Sequence, residues 1–327
     1  MTAVLATLLS ATLSLVAAPP AGASDNGPRL SVNAERLDNS LNCYGNDLDE
    51  SNGAPVLLIH GTFVNASVNW DWNYRPGLIR TGRAVCTVSL PGNGMGDIQI
   101  AAQYVAHAIR AMNHLAHRRI DLIGFSQGGM IGRWALKYWP DTRDAVDDYV
   151  SIDGSNHGTL DAHAVCATGC APAVWQQRSG SHFLRALNSG GETFAGISYT
   201  QVFTVTDEVV VPNLPPAAST SLHTGQGRIR NIPVQSICPA HVADHLSMGT
   251  TDPIGWAVAL DAINHPGPAD PSRIDPSVVC TDATMPAVNP LLLPLNEARL
   301  GGTIATTLAT YPHTSGEPRL EPYARAD

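Results

Sequence analysis

Continuously apolar segments alternate with segments of helical periodicity, and this alternation restricts the fold of the chain more than any other feature. The apolar segments APVLLIHG (54–61), RAVCTVSLPG (83–92) and RIDLIGFS (119–126) are typical of strands buried on both faces. The segments IQIAAQYVAHAIRAMNHLAHR (98–118) and GGMIGRWALKYWP (128–140) have helical spacing of their apolar residues. The alternation predicts an α/β protein with a mostly parallel central sheet and helices on both faces.

Three more apolar segments extend the pattern after the second helix. DYVSIDG (148–154), TQVFTVTDEVV (200–210) and IPVQSI (232–237) are predicted strands, and the last of them completes the sheet. DPIGWAVALDAIN (252–264) begins with Asp and Pro, which is typical of the start of a helix.

Two regions depart from the alternation. Residues 158–198 are rich in Ala, Gly and Ser and lie between two predicted strands, on the side where parallel sheets bind ligands. We interpret them as a small lid or cap. Residues 265–327 are rich in Pro, with an apolar NPLLLPL and a helical pattern around 297–310. We interpret them as a C-terminal extension of a single domain that spans 24–327.

The first residues have the pattern of a secretory signal. Residues 3–18 are apolar but too few for a comfortable membrane span, and Ala21, Gly22 and Ala23 form a small-residue cleavage pattern. We predict a signal peptide over 1–23 and expect no integral membrane segment after its removal. The alternative is a buried amino-terminal helix.

An even number of cysteines suits an exported protein with disulfides. The chain contains Cys43, Cys86, Cys166, Cys170, Cys238 and Cys280. Cys166 and Cys170 are the local pair, and the pairing of the other four is left open at this point. A zinc site would require a second close pair of Cys or His residues near Cys166 and Cys170, so we expect no metal.

The motif Gly124-Phe125-Ser126-Gln127-Gly128 joins a predicted strand to the helix that follows. A serine nucleophile needs a sharp, strained turn of this kind, because the turn holds its hydroxyl clear of the sheet. Glycines two residues before and after the serine leave room for such a turn. Ser126 is therefore the candidate nucleophile, and the alternative is a strand-to-helix turn without chemistry.

A serine hydroxyl needs a His to take its proton and a carboxylate to orient that His. In this class of sheet the acid follows a later strand, and the His comes last along the chain. Asp207 is the preferred acid, and Asp153, which also ends a predicted strand, is its rival. The segment ICPAHVADHLSMGT offers His241 and His245 as bases, and spacing hardly discriminates between them.

Acyl transfer also requires hydrogen-bond donors for the developing oxyanion. The backbone N–H of the residue after the nucleophile, Gln127, is one such donor. Thr62, in the loop after the predicted strand at 54–61, offers both its N–H and its hydroxyl. The alternative for Thr62 is an ordinary polar residue of a turn.

Five separate segments resemble the Candida antarctica lipase B family and its bacterial relatives, and the resemblance runs in the same order from about residue 36 to the end. In chain order the segments are GFSQGGM, AVWQQRSGS, VTDEVVVP, ADHLS and EPRLEPYAR. The resemblance implies a secreted α/β-hydrolase that acts on carboxylic esters and triacylglycerols with no metal and no organic cofactor. It also implies a triad of Ser126, Asp207 and His245. The oxyanion donors that it implies are Thr62 and Gln127. Its implied disulfides are Cys43–Cys86 and Cys238–Cys280.

The chain departs from its yeast relative at the predicted substrate pocket. Phe125 stands where that relative has a Trp bordering the alcohol side, so alcohol selectivity is not carried over. Ser155 replaces an acidic residue near the acyl side, and Gln177 is retained. With Val209 and Val210, these residues are the candidates for substrate binding.

The sequence therefore predicts a secreted, monomeric serine lipase or carboxylesterase whose partner is a lipid or other ester, met in solution or at a lipid–water interface. A polyester or bulky-ester hydrolase or acyltransferase with the same triad is the alternative, and a non-catalytic binding protein on this scaffold is a third hypothesis. A net charge of −9 over 327 residues argues against nucleic acid as a partner.

Overall fold

One sheet of seven strands runs through residues 26–325, the part of the chain that the computed structural model describes. Its strands are β1 (Leu41–Tyr44), β2 (Val56–Ile59), β3 (Val85–Val88), β4 (Ile120–Phe125), β5 (Val146–Ile152), β6 (Ser198–Phe203) and β7 (Arg228–Pro233). Their order is β1-β3-β2-β4-β5-β6-β7. Strand β1 is antiparallel to β3, and the other neighbouring pairs are parallel. The predicted α/β fold with a mostly parallel sheet is confirmed.

Helices connect these strands and cover both faces of the sheet. Within the described residues the α-helices are α1 (Ala34–Asp38), α2 (Ala66–Trp70), α3 (Tyr74–Arg80), α4 (Ile98–Ala116), α5 (Gln127–Tyr138), α6 (Thr142–Ala145), α7 (Asp161–Val165), α8 (Pro172–Gln176), α9 (His182–Asn188), α10 (His245–Met248), α11 (Pro253–Asn264), α12 (Pro276–Val279) and α13 (Leu293–Thr310). Short 3₁₀ helices span Leu48–Glu50, Pro91–Gly94, Val234–Ser236, Pro271–Arg273 and Pro322–Ala324.

The side chains of β2 alternate between two apolar cores. Leu57 and Ile59 pack in the core that contains α4 and α5, whereas Val56 and Leu58 pack in the core that contains α3 and α11. All four side chains are fully buried. Since burial of one such side chain contributes about 1.5–3 kcal/mol, a strand between two helix layers favours apolar residues at every position. This requirement explains the continuous apolar runs in the sequence.

The parallel strands bring the predicted site residues to one edge of the sheet. β2 leads to His60, β4 to Ser126, β5 to Asp153 and β6 to the loop that carries Asp207. Because the carboxyl ends of parallel strands share an edge, these side chains converge although they are far apart in sequence.

The sequence-based strand predictions differ from the structure at the two edge strands and after β6, where 200–210 was predicted but the strand spans Ser198–Phe203 and ends before Asp207. The last strand was predicted over 232–237, but β7 spans Arg228–Pro233, and Val234–Ser236 forms a 3₁₀ helix. Exposed and partly buried residues alternate along β7, so it lacks the apolar run of a central strand. Strand β1 was not predicted, because it is short and three of its four residues are exposed.

Two segments lie outside the alternation of strands and helices, as expected. Residues 158–198 carry α7, α8 and α9, and the extension from residue 265 carries α12 and α13. The two segments meet where Cys170 and Thr314 exchange backbone hydrogen bonds of 3.2 and 2.8 Å. The interpretation of 158–198 as a lid, and of 24–327 as a single domain, stays a prediction.

Three disulfides are formed, namely Cys43–Cys86, Cys166–Cys170 and Cys238–Cys280. Cys43 and Cys86 are register partners of β1 and β3, so the first disulfide ties the antiparallel edge strand to the parallel sheet. The predicted signal peptide, 1–23, lies outside the described residues. Over residues 26–325, every helix is too short or too polar to cross a membrane.

Candidate active site

Ser126 occupies a strained turn between the end of β4 and the start of α5. Its backbone has φ 55° and ψ −120°, a left-handed conformation that costs a non-glycine residue about 1–3 kcal/mol. Hydrogen bonds hold this turn, because Ser126 N–H donates to Ile152 O and Gly129 N–H donates to Ser126 O, both at 2.9 Å. The turn directs the serine towards the carboxyl edge of the sheet.

The glycines on either side of Ser126 are required by close backbone contacts. A Cβ atom on Gly124 would lie 2.1 Å from Gly128 O, and one on Gly128 would lie 2.0 Å from Ile59 O. Neither position therefore accepts a side chain without movement of β2 or of the turn. This is the physical reason for the glycine spacing in the sequence motif.

His245, the first residue of α10, is hydrogen-bonded to Asp207. The distance from His245 Nδ1 to Asp207 Oδ2 is 2.9 Å, and both side chains are buried. Asp207 Oδ1 accepts the backbone N–H groups of Val209 and Val210 at 2.7 and 2.8 Å. An acceptor at Nδ1 favours the imidazole tautomer with its proton there, which leaves Nε2 able to accept a proton.

The rival acid and the rival base have different surroundings. Asp153 Oδ2 is 3.9 Å from His245 Nδ1, which is beyond hydrogen-bond distance. His241 Nε2 lies 2.5 Å from Asp252 Oδ2, and this hydrogen bond raises the pKa of His241. Asp252 also caps α11 by accepting the N–H of Gly255. The geometry therefore assigns Asp207 to His245 and gives His241 a structural partner of its own.

Phe125 fills the space beneath the imidazole of His245. The two ring centroids are 4.8 Å apart, and Phe125 is almost fully buried. A Cβ atom on Gly249 would lie 2.4 Å from Phe125 Cδ2, and one on Gly61 would lie 3.1 Å from Phe125 Cδ1. The ring is therefore enclosed between two glycines, which limits the size of the side chain at this position.

The hydroxyl of Thr62 accepts two hydrogen bonds from side-chain amides. Gln177 Nε2 donates to Thr62 Oγ1 at 3.1 Å, and Gln127 Nε2 donates to it at 3.3 Å. Gln127 Nε2 also donates to Gly94 O at 2.8 Å. Because both amides donate to the oxygen of Thr62, its hydroxyl proton remains available to a third group.

Ser155 fixes the orientation of the Gln177 amide. Ser155 Oγ donates to Gln177 Oε1 at 2.8 Å, and Gln177 Nε2 donates to Ala173 O at 3.2 Å. A flipped amide would bring its oxygen against the carbonyl of Ala173, so only one orientation satisfies both neighbours. The hydrogen bonds therefore run in one direction, from Ser155 through Gln177 to Thr62.

His60 supports the loop that carries Thr62, a role that the sequence analysis missed. The fully buried ring accepts the N–H of Leu90 at Nε2, at 2.9 Å, and its Nδ1 donates to Gly61 O at 2.7 Å. Burial lowers the pKa of His60 to about 4, so the ring is neutral at neutral pH. The His-Gly pair at the end of the predicted strand was the available signal.

A cavity of about 370 Å³ connects these groups. Ser126, His245 and Thr62 line this cavity. All the residues predicted to bind substrate line it too, namely Phe125, Ser155, Gln177, Val209 and Val210. The sequence analysis missed the apolar side chains that α7, α8, α10 and α13 and the loop after β2 add to the wall, namely Val64, Val165, Val174, Leu246, Ile304 and Leu308. The wall is therefore largely apolar, with a few polar groups near the serine.

The cavity beside Ser126 is the candidate active site because of its chemistry and not because of its size. A wider cavity of about 580 Å³ lies at the opposite edge of the sheet and contains Arg83, Asp121 and Asp148. Arg83 there forms a salt bridge of 3.3 Å with Asp121 and donates a hydrogen bond to the carbonyl of Ala54. This polar cavity has no serine on a strained turn among its lining residues, and the carboxylate partner of its His265, Asp261, is also paired with Arg273.

Comparisons with known proteins identify the family. Residues 53–236, more than half of the chain, match the family described as Lipase (class 2). The chain belongs to the class 2 lipase family. Lipase B of Pseudozyma antarctica is 30% identical to this class 2 lipase over 336 aligned positions, and the match covers 98% of this chain and 92% of that protein. The predicted resemblance is confirmed.

Solved structures agree with the assignment. The crystal structure of Aspergillus fumigatus lipase B matches this class 2 lipase with a TM-score of 0.84 and 31% identity, covering 94% of this chain and 77% of that chain. A Bacillus licheniformis lipase in its propeptide form shares the fold alone. Its TM-score is 0.53 at 15% identity, and the match covers 70% of this chain and 54% of that chain. The lipase relatives identify the protein as a carboxylic ester hydrolase of the α/β-hydrolase superfamily.

Asp153, Asp207 and His245 of this class 2 lipase also have a spacing that a metal ion can accept. One ligand atom from each lies within 4.8 Å of the others, and all three residues are buried. His245 Nδ1 is already hydrogen-bonded to Asp207. We therefore propose no metal here, because the hydrogen bond to Asp207 already uses this nitrogen.

Proposed function

We propose that this class 2 lipase hydrolyses carboxylic esters through a Ser126–His245–Asp207 triad and an acyl-enzyme. The observation that carries the proposal is the 2.9 Å hydrogen bond between His245 Nδ1 and Asp207 Oδ2, beside the cavity that Ser126 lines. Ser126 Oγ attacks the ester carbonyl while His245 Nε2 takes its proton, and that proton then passes to the leaving alcohol. Water, activated by the same histidine, releases the carboxylic acid.

Thr62 and Gln127 stabilise the negative charge of the tetrahedral intermediate. The N–H groups of both residues and the hydroxyl proton of Thr62 are the proposed donors. The two amide hydrogen bonds to Thr62 Oγ1 support this role, because they leave only its proton for the oxyanion. Since the donors are held by neighbouring groups, little reorganisation is needed when the charge develops.

The apolar cavity wall supports an aliphatic acyl group as the preferred substrate moiety. Val209, Val210, Ile304 and Leu308 line the cavity with Ser126. Its volume of about 370 Å³ suits one extended aliphatic chain. We therefore propose acylglycerols and similar lipid esters as substrates, with the triacylglycerol lipase reaction as the activity.

We further propose that the protein is secreted as a monomer after cleavage at residue 23. Three disulfides among the described residues support an oxidising compartment. The amino-terminal sequence of the exported protein tests cleavage. Its size in solution tests the monomer.

A series of p-nitrophenyl esters from acetate to palmitate, compared with emulsified triacylglycerol and a polyester film, tests the reaction and the substrate class. The Ser126→Ala variant is the control for the nucleophile. The proposal predicts activity that rises with acyl length and is lost in Ser126→Ala. Full activity of Ser126→Ala would overturn the mechanism, and a preference for the polyester film would replace lipid esters with bulky esters.

A further inference from the structure

Asp153 is a buried carboxyl group at the end of β5 that the proposed triad does not use. Its backbone has φ 42°, and its N–H donates to Val202 O at 2.9 Å. Asp153 Oδ1 accepts the N–H of Thr204 at 3.0 Å, whereas Oδ2 has no hydrogen-bond partner. The unpartnered oxygen is the one that lies 3.9 Å from His245 Nδ1. Burial of an unpartnered carboxyl oxygen is costly, so its position beside the histidine requires an explanation.

The surroundings of Asp153 determine its charge. The titratable groups that face it are His245 on α10, Asp207 and Glu208 in the loop after β6, Asp252 at the start of α11, and Tyr74 on α3. Burial raises the pKa of Asp153 well above its usual range, and the negative charge of Asp207 raises it further. One oxygen of each carboxyl group lies within 4.8 Å of the other in this buried site, so a negative charge on Asp207 disfavours a second one on Asp153.

We propose that Asp153 is a second positioning residue for His245, so that the site has two carboxyl groups of which either can accept the Nδ1 hydrogen bond. Asp207 holds this place in the structure, at 2.9 Å, and Asp153 lies further from the same nitrogen, at 3.9 Å. A movement of about 1 Å by Asp153 Oδ2 would bring it within hydrogen-bond distance of that nitrogen. The two acids come from the ends of neighbouring strands, β5 and β6, and approach the same nitrogen.

The proposal rests on the proposed triad and predicts the effect of removing Asp207. Without the charge of Asp207, Asp153 loses a proton more readily and supplies the carboxylate itself. A triad with a single acid loses about 10⁴-fold in kcat when that acid is replaced. With a second acid in place, we expect Asp207→Ala to lose about 10- to 100-fold.

The experiment compares kcat/KM on p-nitrophenyl butyrate, from pH 6 to pH 10, for four variants. They are Asp207→Ala, Asp207→Ala/Asp153→Asn, Asp207→Ala/Asp148→Asn and Ser126→Ala. Asp148 is the matched control, because it is also a buried Asp of β5 but lies at the opposite edge of the sheet. We expect the Asp153 double variant to lose at least a further 10-fold, and the Asp148 double variant to equal Asp207→Ala.

The pH profile distinguishes positioning from a structural role. A carboxylate beside Nδ1 stabilises the protonated imidazole, so its loss moves the acid limb of kcat/KM to lower pH. We expect the acid limb of the Asp207→Ala/Asp153→Asn variant to lie at lower pH than that of Asp207→Ala. Equal rates and equal profiles for those two variants would overturn the proposal while leaving the triad intact. Activity in Ser126→Ala would instead overturn the triad itself.

Folding is measured separately for each variant, because Asp207 also accepts the N–H groups of Val209 and Val210. If Asp207→Ala does not fold, the same comparison is made with Asp207→Asn, which keeps an oxygen for those two N–H groups. The Asp153→Asn substitution is then expected to lower kcat/KM further in that background. An unchanged rate would overturn the proposal.

Discussion

Ser155 Oγ lies 2.8 Å from Gln177 Oε1, and through this contact a residue outside the triad sets the direction of the Thr62 hydroxyl. The Gln177 amide, which Ser155 orients, donates a hydrogen bond to Thr62 Oγ1 at 3.1 Å. The position of Ser155 is one where the sequence departs from its yeast relative. A hydroxyl there donates its hydrogen bond at any pH, whereas a carboxyl group can donate only when it is protonated.

Replacement of Ser155 by Ala therefore weakens catalysis by acting through Gln177 and Thr62. The Gln177 amide loses the donor to its oxygen, so the Thr62 proton is less well directed. We expect kcat to fall by about 10-fold, less than the 10²- to 10³-fold loss typical of a missing oxyanion donor. Steady-state kinetics measures this, with Ser151→Ala as the control, because Ser151 is a buried serine with an unpartnered hydroxyl. A kcat equal to that of the control would contradict the role.

The hydroxyl of Thr62 itself is expected to contribute more. We predict that Thr62→Val lowers kcat by about 10²- to 10³-fold with little change in KM, because the lost hydrogen bond forms mainly in the transition state. Thr62→Ser keeps a hydroxyl at the same place and is expected to keep most of the activity. Stopped-flow measurement of acylation separates the two variants. Equal losses in both would mean that the side chain acts through packing.

Gly249 limits the side chain that packs beneath His245. We predict that Gly249→Ala destabilises the protein by about 1–3 kcal/mol, since the new methyl group would meet the ring of Phe125 at 2.4 Å. A thermal unfolding scan measures the loss. Gly302→Ala is the control, because a Cβ there has no atom within 4 Å. Combination with Phe125→Leu is expected to recover part of the loss, and no recovery would contradict a clash with this ring.

His60 makes the stability of the protein sensitive to acid. Because its pKa is lowered from 6.5 to about 4 in the folded protein, folding favours the neutral ring. This stability is fully present above pH 6.5 and is lost as the pH falls towards 4, by about 3 kcal/mol in total. Urea unfolding of the wild type and His60→Gln between pH 7 and pH 4 measures the difference. The exposed His313→Gln variant is expected to follow the wild type; a parallel pH dependence in His60→Gln would contradict the prediction.

Much of the fold was predictable because its physical requirements leave a local pattern. Central strands between two helix layers need apolar residues throughout, and the strained turn at Ser126 needs its neighbouring glycines. The edge strand β7 has one solvated face and therefore leaves only a weak pattern. Its predicted start, residue 232, lies near the end of the observed strand, Arg228–Pro233.

The candidate site was predictable in its order but not in its contacts. Spacing could not separate His241 from His245, because the difference lies in three dimensions: Asp252 holds one and Asp207 the other. The supporting hydrogen bonds of His60 include one to Leu90, which is distant in sequence and shares no motif with it. The 3.9 Å distance between Asp153 Oδ2 and His245 Nδ1 likewise joins two residues that are distant in sequence and share no motif.

Covalent labelling by a fluorophosphonate, with the modified residue located by mass spectrometry, tests the central claim most directly. We predict one adduct on Ser126 in the wild type, with labelling at least 10²-fold slower in His245→Ala because the base that activates the serine is missing. His241→Ala is expected to label at nearly the wild-type rate. An adduct on another residue, or fast labelling of Ser126 in His245→Ala together with slow labelling in His241→Ala, would contradict the proposed triad.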